Sequence, residues 1–577
     1  MRRNISKIVA LLLAIVMLAA LAACNNNSAN NPGTPSANPS QPSREEVMGG
    51  DRGDILETGP DISNAETVDY VDTIVFAGTM NNFNITPFAP SSGGRENVAP
   101  RIYGMLFYMP YVGAPLEDLQ PNLAKSWTKV DDFTYDIELF DYIHDSKGNP
   151  ITSSDIKFSY EKMIEAGNPG TIGPNLQEIV IKDDYHFTIK LKNAGVGVIE
   201  AMLASAKGCI VSEDWYNTAS DDEQATNPAS LGLYEVEDYQ SGISVTFKLV
   251  ENFWQTDEQY LPDVNLTRVG RVIYKGIKED AMRTIALESG EVDVAKIGNT
   301  EISHFFDTST MTALPGYTVT AINAPGYFSA VLNMSEGSIF ADNWNLRMAV
   351  LCAINSTQIQ QGEGLTDFDS EVLTGFGSTM LHGYNPEVHS FGDDWFPQEK
   401  ASEYLEAAGY KPGELTVRLL AKTSLPQEAV DVMVAQLEMI GINVDLNNPT
   451  AALEPEILGD STAWDINYTS NRVDGQITDV LNEKFDPSNY GARNSVNFMK
   501  DDKLVELLAA ASYTGSEEDI SALSQYLYEL AVFKPTICEF TYFAAKDDVL
   551  KIAFDSIGNP ALTLCTFDKD YVSVNDR

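Results

Sequence analysis

Leu119–Tyr160 reads LQPNLAKSWTKVDDFTYDIELFDYIHDSKGNPITSSDIKFSY. Tyr135, Ile137 and Leu139 alternate with polar residues, which is the period of a half-buried strand. Upstream, the Trp127 indole is an apolar anchor with one donor that needs a partner. Downstream, Thr152 or Ser154 is placed to cap a helix that begins near Asp155. Strand, loop and capped helix thus follow one another within a single short stretch.

The same grammar extends outward. Thr73-Ile74-Val75-Phe76-Ala77 reads as a strand. Phe187, Ile189 and Leu191 alternate with polar residues, as do Ile243, Val245, Phe247 and Leu249. Helical spacing appears at Val430, Met433, Val434, Leu437 and Ile440 and ends at Gly441, a C-cap residue. It recurs at Ile520, Leu523, Leu527 and Leu530, and Pro535 is expected to stop that helix. Helix followed by strand over 427–446 predicts α/β units, while the first half is richer in hairpin-like strands. No internal repeat is visible. The 577 residues, 44% of them hydrophobic, suffice for several cores and exclude disordered or disulfide-knot classes for the whole chain.

The amino terminus carries an address. Arg2, Arg3 and Lys7 precede an apolar run from Ile8 to Ala20, too short to span a bilayer and suited to a signal peptide. Leu21-Ala22-Ala23-Cys24 follows and looks like a bacterial lipobox. Residues 1–23 are therefore expected to be a lipoprotein signal peptide, with Cys24 diacylated. Residues 24–68 are rich in Asn, Ser, Pro and Gly, too poor in apolar groups to offset their ordering entropy, and are expected to form a flexible tether. The protein is expected at the cell membrane, anchored by lipid and facing the extracellular or periplasmic side.

Charge and composition narrow the chemistry. Lys+Arg is 38 and Asp+Glu is 83, a net charge of −45 that repels phosphate backbones and argues against a nucleic-acid partner. With so many carboxylates, close pairs such as Asp131-Asp132 or Asp547-Asp548 are solvated faces by default. No HExxH, GxSxG, Walker A or helix-opening GxGxxG occurs, and Gly195-Val196-Gly197 lacks the third glycine. His382 and His389 have no Cys or carboxylate at ligand spacing, so neither a metal site nor a cofactor is expected. Cys209, Cys352, Cys538 and Cys565 allow three disulfide pairings. Cys352 in an apolar helical run and Cys538 in a strand-like run also read as small hydrophobes. Ligand binding, not catalysis, is the expectation.

Several blocks resemble the family 5 extracellular solute-binding proteins, the peptide- and nickel-binding receptors of ABC importers. Pro121, Leu123-Ala124, Ser126-Trp127, Asp131-Asp132, Tyr135, His144-Asp145, Gly148, Thr152, Asp155 and Phe158-Ser159-Tyr160 fit its most distinctive stretch. In the family's order follow Leu231–Tyr234 (LGLY), Glu251–Trp254 (ENFW), Ala286–Asp293 (ALESGEVD), Trp344–Asn355 (WNLRMAVLCAIN) and Lys400–Tyr410 (KASEYLEAAGY). The blocks span roughly residues 70 to 570. The chain departs from the pattern where an Arg is missing after the 134–140 strand, and where an insertion parts Asp145 from Gly148.

The resemblance implies an α/β, two-lobed periplasmic-binding-protein-like fold (type II, cluster C) with mixed sheets, closing on ligand like a flytrap. Lobe I would comprise 69–324, with a small subdomain at about 110–220, and would regain 535–577; lobe II would comprise 325–534. The implied function is capture of oligopeptides or dipeptides in the interlobe cleft, with an ABC permease and ATPase complex as partners. A nickel chelate, an oligosaccharide or a signalling peptide are the alternative ligands, and an exported hydrolase is disfavoured by the missing nucleophile motifs. Trp464-Asp465-Ile466-Asn467-Tyr468 resembles the family strand that leads to an ammonium-binding Asp, which places Asp474 there and Asn471 where a Trp is usual. Asp474-Gly475 is equally a turn signal. Arg472 either meets a ligand carboxylate or pairs with Asp474, and Tyr542 either lines the cleft or belongs to an aromatic core.

Overall fold

The strand Val71–Gly78 is buried at every position but Asp72 and runs parallel to Val269–Gly276 on one side and Val294–Ile297 on the other. Burial on both faces explains its apolar run Ile74–Ala77. The computed structural model describes residues 55–57, 65–79, 85–88, 101–109, 116–166, 172–195, 197–204, 210–260, 269–323, 326–366, 369–378, 381, 383–390, 395–472, 476–487, 498–554 and 560–575. Within these, a nine-stranded mixed sheet is ordered Ile55–Glu57, Tyr317–Asn323, Ile537–Lys546, Val294–Ile297, Val71–Gly78, Val269–Gly276, Ser244–Leu249 and Tyr234–Gln240, with Ser370–Val372 also paired to Ile537–Lys546. Residues 55–57, which composition assigns to the tether, are thus an edge strand, with Ile55 opposite Ile322. An open sheet edge supplies backbone partners that composition does not reveal.

A four-stranded antiparallel sheet, ordered Ala124–Asp131, Thr134–Leu139, His186–Leu191 and Leu176–Asp183, forms the small subdomain. Its helix Ser153–Glu165 begins one residue after Thr152, which closes a capping box with Asp155. Asp155 Oδ2 accepts from Thr152 N at 2.7 Å, and its Oδ1 accepts from Glu213 N at 2.7 Å. Leu123, Ile137, Ile156 and Phe187 share one core with Ile74, Phe247 and Val272 of the large sheet, so subdomain and sheet form one lobe.

The second lobe has a five-stranded sheet ordered Asn443–Asn447, Thr416–Leu420, Ile466–Arg472, Gly326–Leu332 and Phe533–Pro535. The first three run parallel and Gly326–Leu332 antiparallel to its neighbours. Its core gathers Leu346, Cys352, Val417, Met433, Leu437, Ile466, Leu523 and Phe533. The helix Gln427–Met439 is followed by Gly441 at φ +87°, as its spacing predicts. The helix Glu517–Leu530 ends at Ala531, at φ +52°, not at Pro535. Pro535 instead closes the edge strand Phe533–Pro535, where a missing N–H costs no ladder bond.

Two strand-to-strand passages link the sheets among the described residues, and Ser370–Val372, from within the second lobe's stretch, also reaches the large sheet. Tyr317–Asn323 leads into Gly326–Leu332, and Phe533–Pro535 leads into Ile537–Lys546. Thr536 N donates to Phe328 O at 2.8 Å between the two crossings. Beyond them the C-terminal segment returns to the large sheet: Asp293 accepts from Val75 N at 2.8 Å, Val574 N at 3.0 Å and Ser573 Oγ at 3.2 Å. Cys352, Cys538 and Cys565 are buried cysteines, and Cys209 lies outside the described residues. No helix among the described residues is long and apolar enough to cross a membrane.

Candidate functional site

Strand direction places the cleft. Ile297 pairs with Tyr542 and Val294 with Ala545, so the carboxyl end of Val294–Ile297 points toward the crossing at Ile537. Val71–Gly78 and Val269–Gly276 run parallel to it and end on the same side. From the other lobe, Ile466–Arg472 ends with Asn471 opposite Tyr327 and Arg472 opposite Gly326, where the first crossing enters. Both lobes therefore turn the carboxyl ends of parallel strands toward the junction, the position where open α/β sheets take ligands.

Three charged groups stand at this junction on three elements. Glu363 follows the helix Ser356–Gly362, Glu539 lies on the crossing strand, and Lys296 lies on Val294–Ile297. Burial, reinforced by Glu539 and Glu428, pushes the Glu363 carboxyl up to about 8. Burial also raises Glu539, against the opposing pull of Glu363 and Lys296. Burial and the Arg283 guanidinium lower Lys296. Two such carboxyls hold one proton between them more readily than two negative charges. No sequence signal marked these groups, because separate elements bring them together.

The lobes meet a second time at the small subdomain. Tyr513 Oη donates to Asp132 Oδ2 at 3.3 Å, and Lys129 Nζ lies 2.8 Å from Asp132 Oδ1. Asp132, read in sequence as part of a solvated pair, thus has partners on both lobes. Asp132 lies in the turn between Ala124–Asp131 and Thr134–Leu139, and Tyr513 in the last turn of the helix Asp502–Thr514.

Of the residues singled out from sequence, Cys24 and Asp474 lie outside the described residues, and Asn471 and Arg472 are described only as backbone at the end of their strand. Tyr542 is fully buried in the large sheet between Ile297 and Ala321, with its hydroxyl donating to Asp369 Oδ1 at 3.3 Å. His389 is buried, with Nδ1 accepting from Asn385 N at 2.9 Å; His382 lies outside the described residues. No group of three His, Cys, Asp or Glu among the described residues is placed to hold a metal. A separate cavity of about 630 Å³ in lobe II reaches Trp395, Phe396 and Lys534. The Lys534 ammonium donates to the carbonyls of Leu351 and Ile354 at the end of the helix Trp344–Ala353, which accounts for its burial.

Two lobes, double strand crossings and facing carboxyl ends define a two-lobed solute-binding protein. The chain belongs to the bacterial extracellular solute-binding proteins of family 5, whose middle-region model matches residues 118–499. The fold is similar to that of HbpA2 from Haemophilus parasuis (TM-score 0.71, 17% identity, 86% of this chain and 100% of that one). It is similar to DppA from Helicobacter pylori in complex with peptide STSA (TM-score 0.64, 18% identity, 86% and 98%). It is also similar to NikA from Brucella suis in complex with Fe(III)-EDTA (TM-score 0.68, 17% identity, 86% and 100%). In sequence, the chain is 26% identical over 183 residues to a probable D,D-dipeptide-binding periplasmic protein of Escherichia coli, covering 31% of this chain and 34% of that protein. The chain spans about a third of the length of the curated relatives it matches.

Proposed function

We propose that this protein is the lipid-anchored receptor of an ABC importer and captures short peptides between its lobes. Family membership supports a solute-binding role, and the observation that carries the location is the convergence of parallel strand ends at the two crossings. Cys24 is the proposed lipid attachment point and residues 1–23 the leader. The proposed lobes divide at 324/325 and 534/535; the two largest cores support two lobes, although Ile537 and Cys538 pack into the lobe II core. Asp474 is the proposed partner of a peptide α-ammonium, with Arg472 and Asn471 beside it, because an ion pair shielded from water suits that recognition. Tyr542 acts from within the sheet, through Asp369, as a proposed support of the cleft floor. The role is binding, not catalysis, and the permease and ATPase complex is the proposed recipient of the ligand.

A metal chelate is the second reading, supported by the likeness to the Fe(III)-EDTA complex of NikA. A mixed peptide library followed by mass spectrometry of the retained species tests the first. Retained peptides and a raised melting temperature are expected, since ligand at a hundredfold excess over Kd adds about 2.7 kcal/mol. Retention of a nickel or iron chelate with no peptide would select the second.

A further inference from the structure

Gly195 and Gly197 follow the strand His186–Leu191 and precede the helix Val198–Ala204 of the small subdomain. A Cβ on Gly195 would lie 2.6 Å from the backbone oxygen of Ser512. A Cβ on Gly197 would lie 2.3 Å from Gln476 Nε2 and 3.1 Å from its Cδ. A side chain at 195 would clash with backbone, one at 197 would have to push the end of the Gln476 side chain aside, and Gly197 also sits at φ +78°. Ser512 lies in the last turn of Asp502–Thr514, where carbonyls lack partners within the helix. Gln476 is the N-cap of Ile477–Phe485. Asn482 of that helix donates to Ser512 Oγ, so the two surfaces on lobe II are tied together. Tyr513, one residue on, reaches Asp132 of the subdomain.

We infer that Gly195 and Gly197 are positioning residues that set how far the lobes close. Their bare backbone lets the subdomain rest on Ser512 and Gln476 of lobe II. The two positions differ in a way that can be measured. An added methyl at 195 meets backbone, which no substitution at 512 removes. An added methyl at 197 meets only the Gln476 side chain, which can be cut back. The inference deepens the receptor reading and rests on it for the link between closure and affinity, but the contact itself can be tested alone.

Two experiments on the full chain decide it. Gly197→Cys/Gln476→Cys should form a disulfide under mild oxidation, seen by peptide mass mapping, and the scattering radius should fall and recover on reduction. A double variant that melts like wild type yet never cross-links overturns the contact. For peptides retained from the mixed library, Gly197→Ala should weaken binding about tenfold through faster dissociation, because the closed state is depleted. Gly197→Ala/Gln476→Ala should restore most of that loss, whereas Gly195→Ala should stay weak when combined with Ser512→Ala. Gly148→Ala, at φ +88° with open space around it, carries similar backbone strain and should leave affinity unchanged. Equal affinity for wild type and Gly197→Ala overturns the positioning role. A disulfide that forms in a protein retaining no peptide counts against the peptide reading and for the contact.

Discussion

Arg418 grips Asp465 across two parallel strands of lobe II. Nε lies 2.9 Å from Oδ2 and Nη2 2.6 Å from Oδ1, and the Arg418 backbone N–H donates to the same Oδ2 at 2.8 Å. The carboxylate is buried while the guanidinium is part exposed. This bond fixes Thr416–Leu420 beside Ile466–Arg472, the strand that carries the chain to the crossing. Asp465→Asn should cost about 1.5–3 kcal/mol, the usual worth of a hydrogen bond to a charged group. Urea titration checks it, and a change within about 0.5 kcal/mol would show the grip to be idle.

The junction carboxyls predict a pH dependence with a definite sign. A free glutamate carboxyl titrates near 4.5, and burial pushes Glu363 up to about 8 in the folded protein. Between those values the folded protein binds the extra proton, so stability falls as pH rises through the window. Glu363→Gln cannot ionise and escapes that cost. Its melting temperature should match wild type near about pH 5 and exceed it near about pH 8.5. A constant difference across the range would remove Glu363 as the source.

The capping box of Ser153–Glu165 separates two effects. Thr152→Ala removes one cap acceptor and should cost about 1 kcal/mol. Asp155→Ala strips acceptors from both Thr152 N and Glu213 N, so the larger loss is expected there. Equal losses in denaturant titrations would show that the Glu213 bond contributes nothing.

Anchoring is tested at Cys24. Cys24→Ser should leave uncleaved precursor or shed protein, read by fractionation and detergent partitioning. Wild-type partitioning of the variant would end the lipoprotein expectation.

Asp474→Asn keeps the shape and removes the charge. If it meets a peptide α-ammonium away from water, affinity should fall roughly 30-fold or more, from the loss of about 2–5 kcal/mol. N-acetylated peptides should bind wild type poorly and lose little further in the variant. Calorimetry on free and acetylated forms of one retained peptide decides between this and an ordinary turn residue.

Much of the fold was legible because it rests on local periodicity. Period-2 runs at Tyr135–Leu139 and Phe187–Leu191 and the 3.6-residue spacing at Val430–Ile440 are written in consecutive residues, and the strands and helix stand there. Either Thr152 or Ser154 reads as the cap, and the structure selects Thr152, whose capping-box partner Asp155 is three residues away. The end of Glu517–Leu530 was misread because Pro535 is a visible helix breaker, whereas Ala531 adopts a left-handed backbone that its residue type does not advertise.

Sequence by itself determined the class of element and the family resemblance, since each depends on residues close along the chain or in fixed order. Only the tertiary structure decided which distant residues meet. Glu363 and Glu539 come together because the crossing strand passes the end of Ser356–Gly362, and Tyr513 reaches Asp132 because two lobes approach. Gly195 and Gly197 look like a broken nucleotide motif in the sequence. Their role as contact points exists only once Ser512 and Gln476 stand within 3 Å of where a side chain would be. Residue type sets what a group can do, but the energy of a contact depends on distance, and distance across hundreds of residues is fixed by packing.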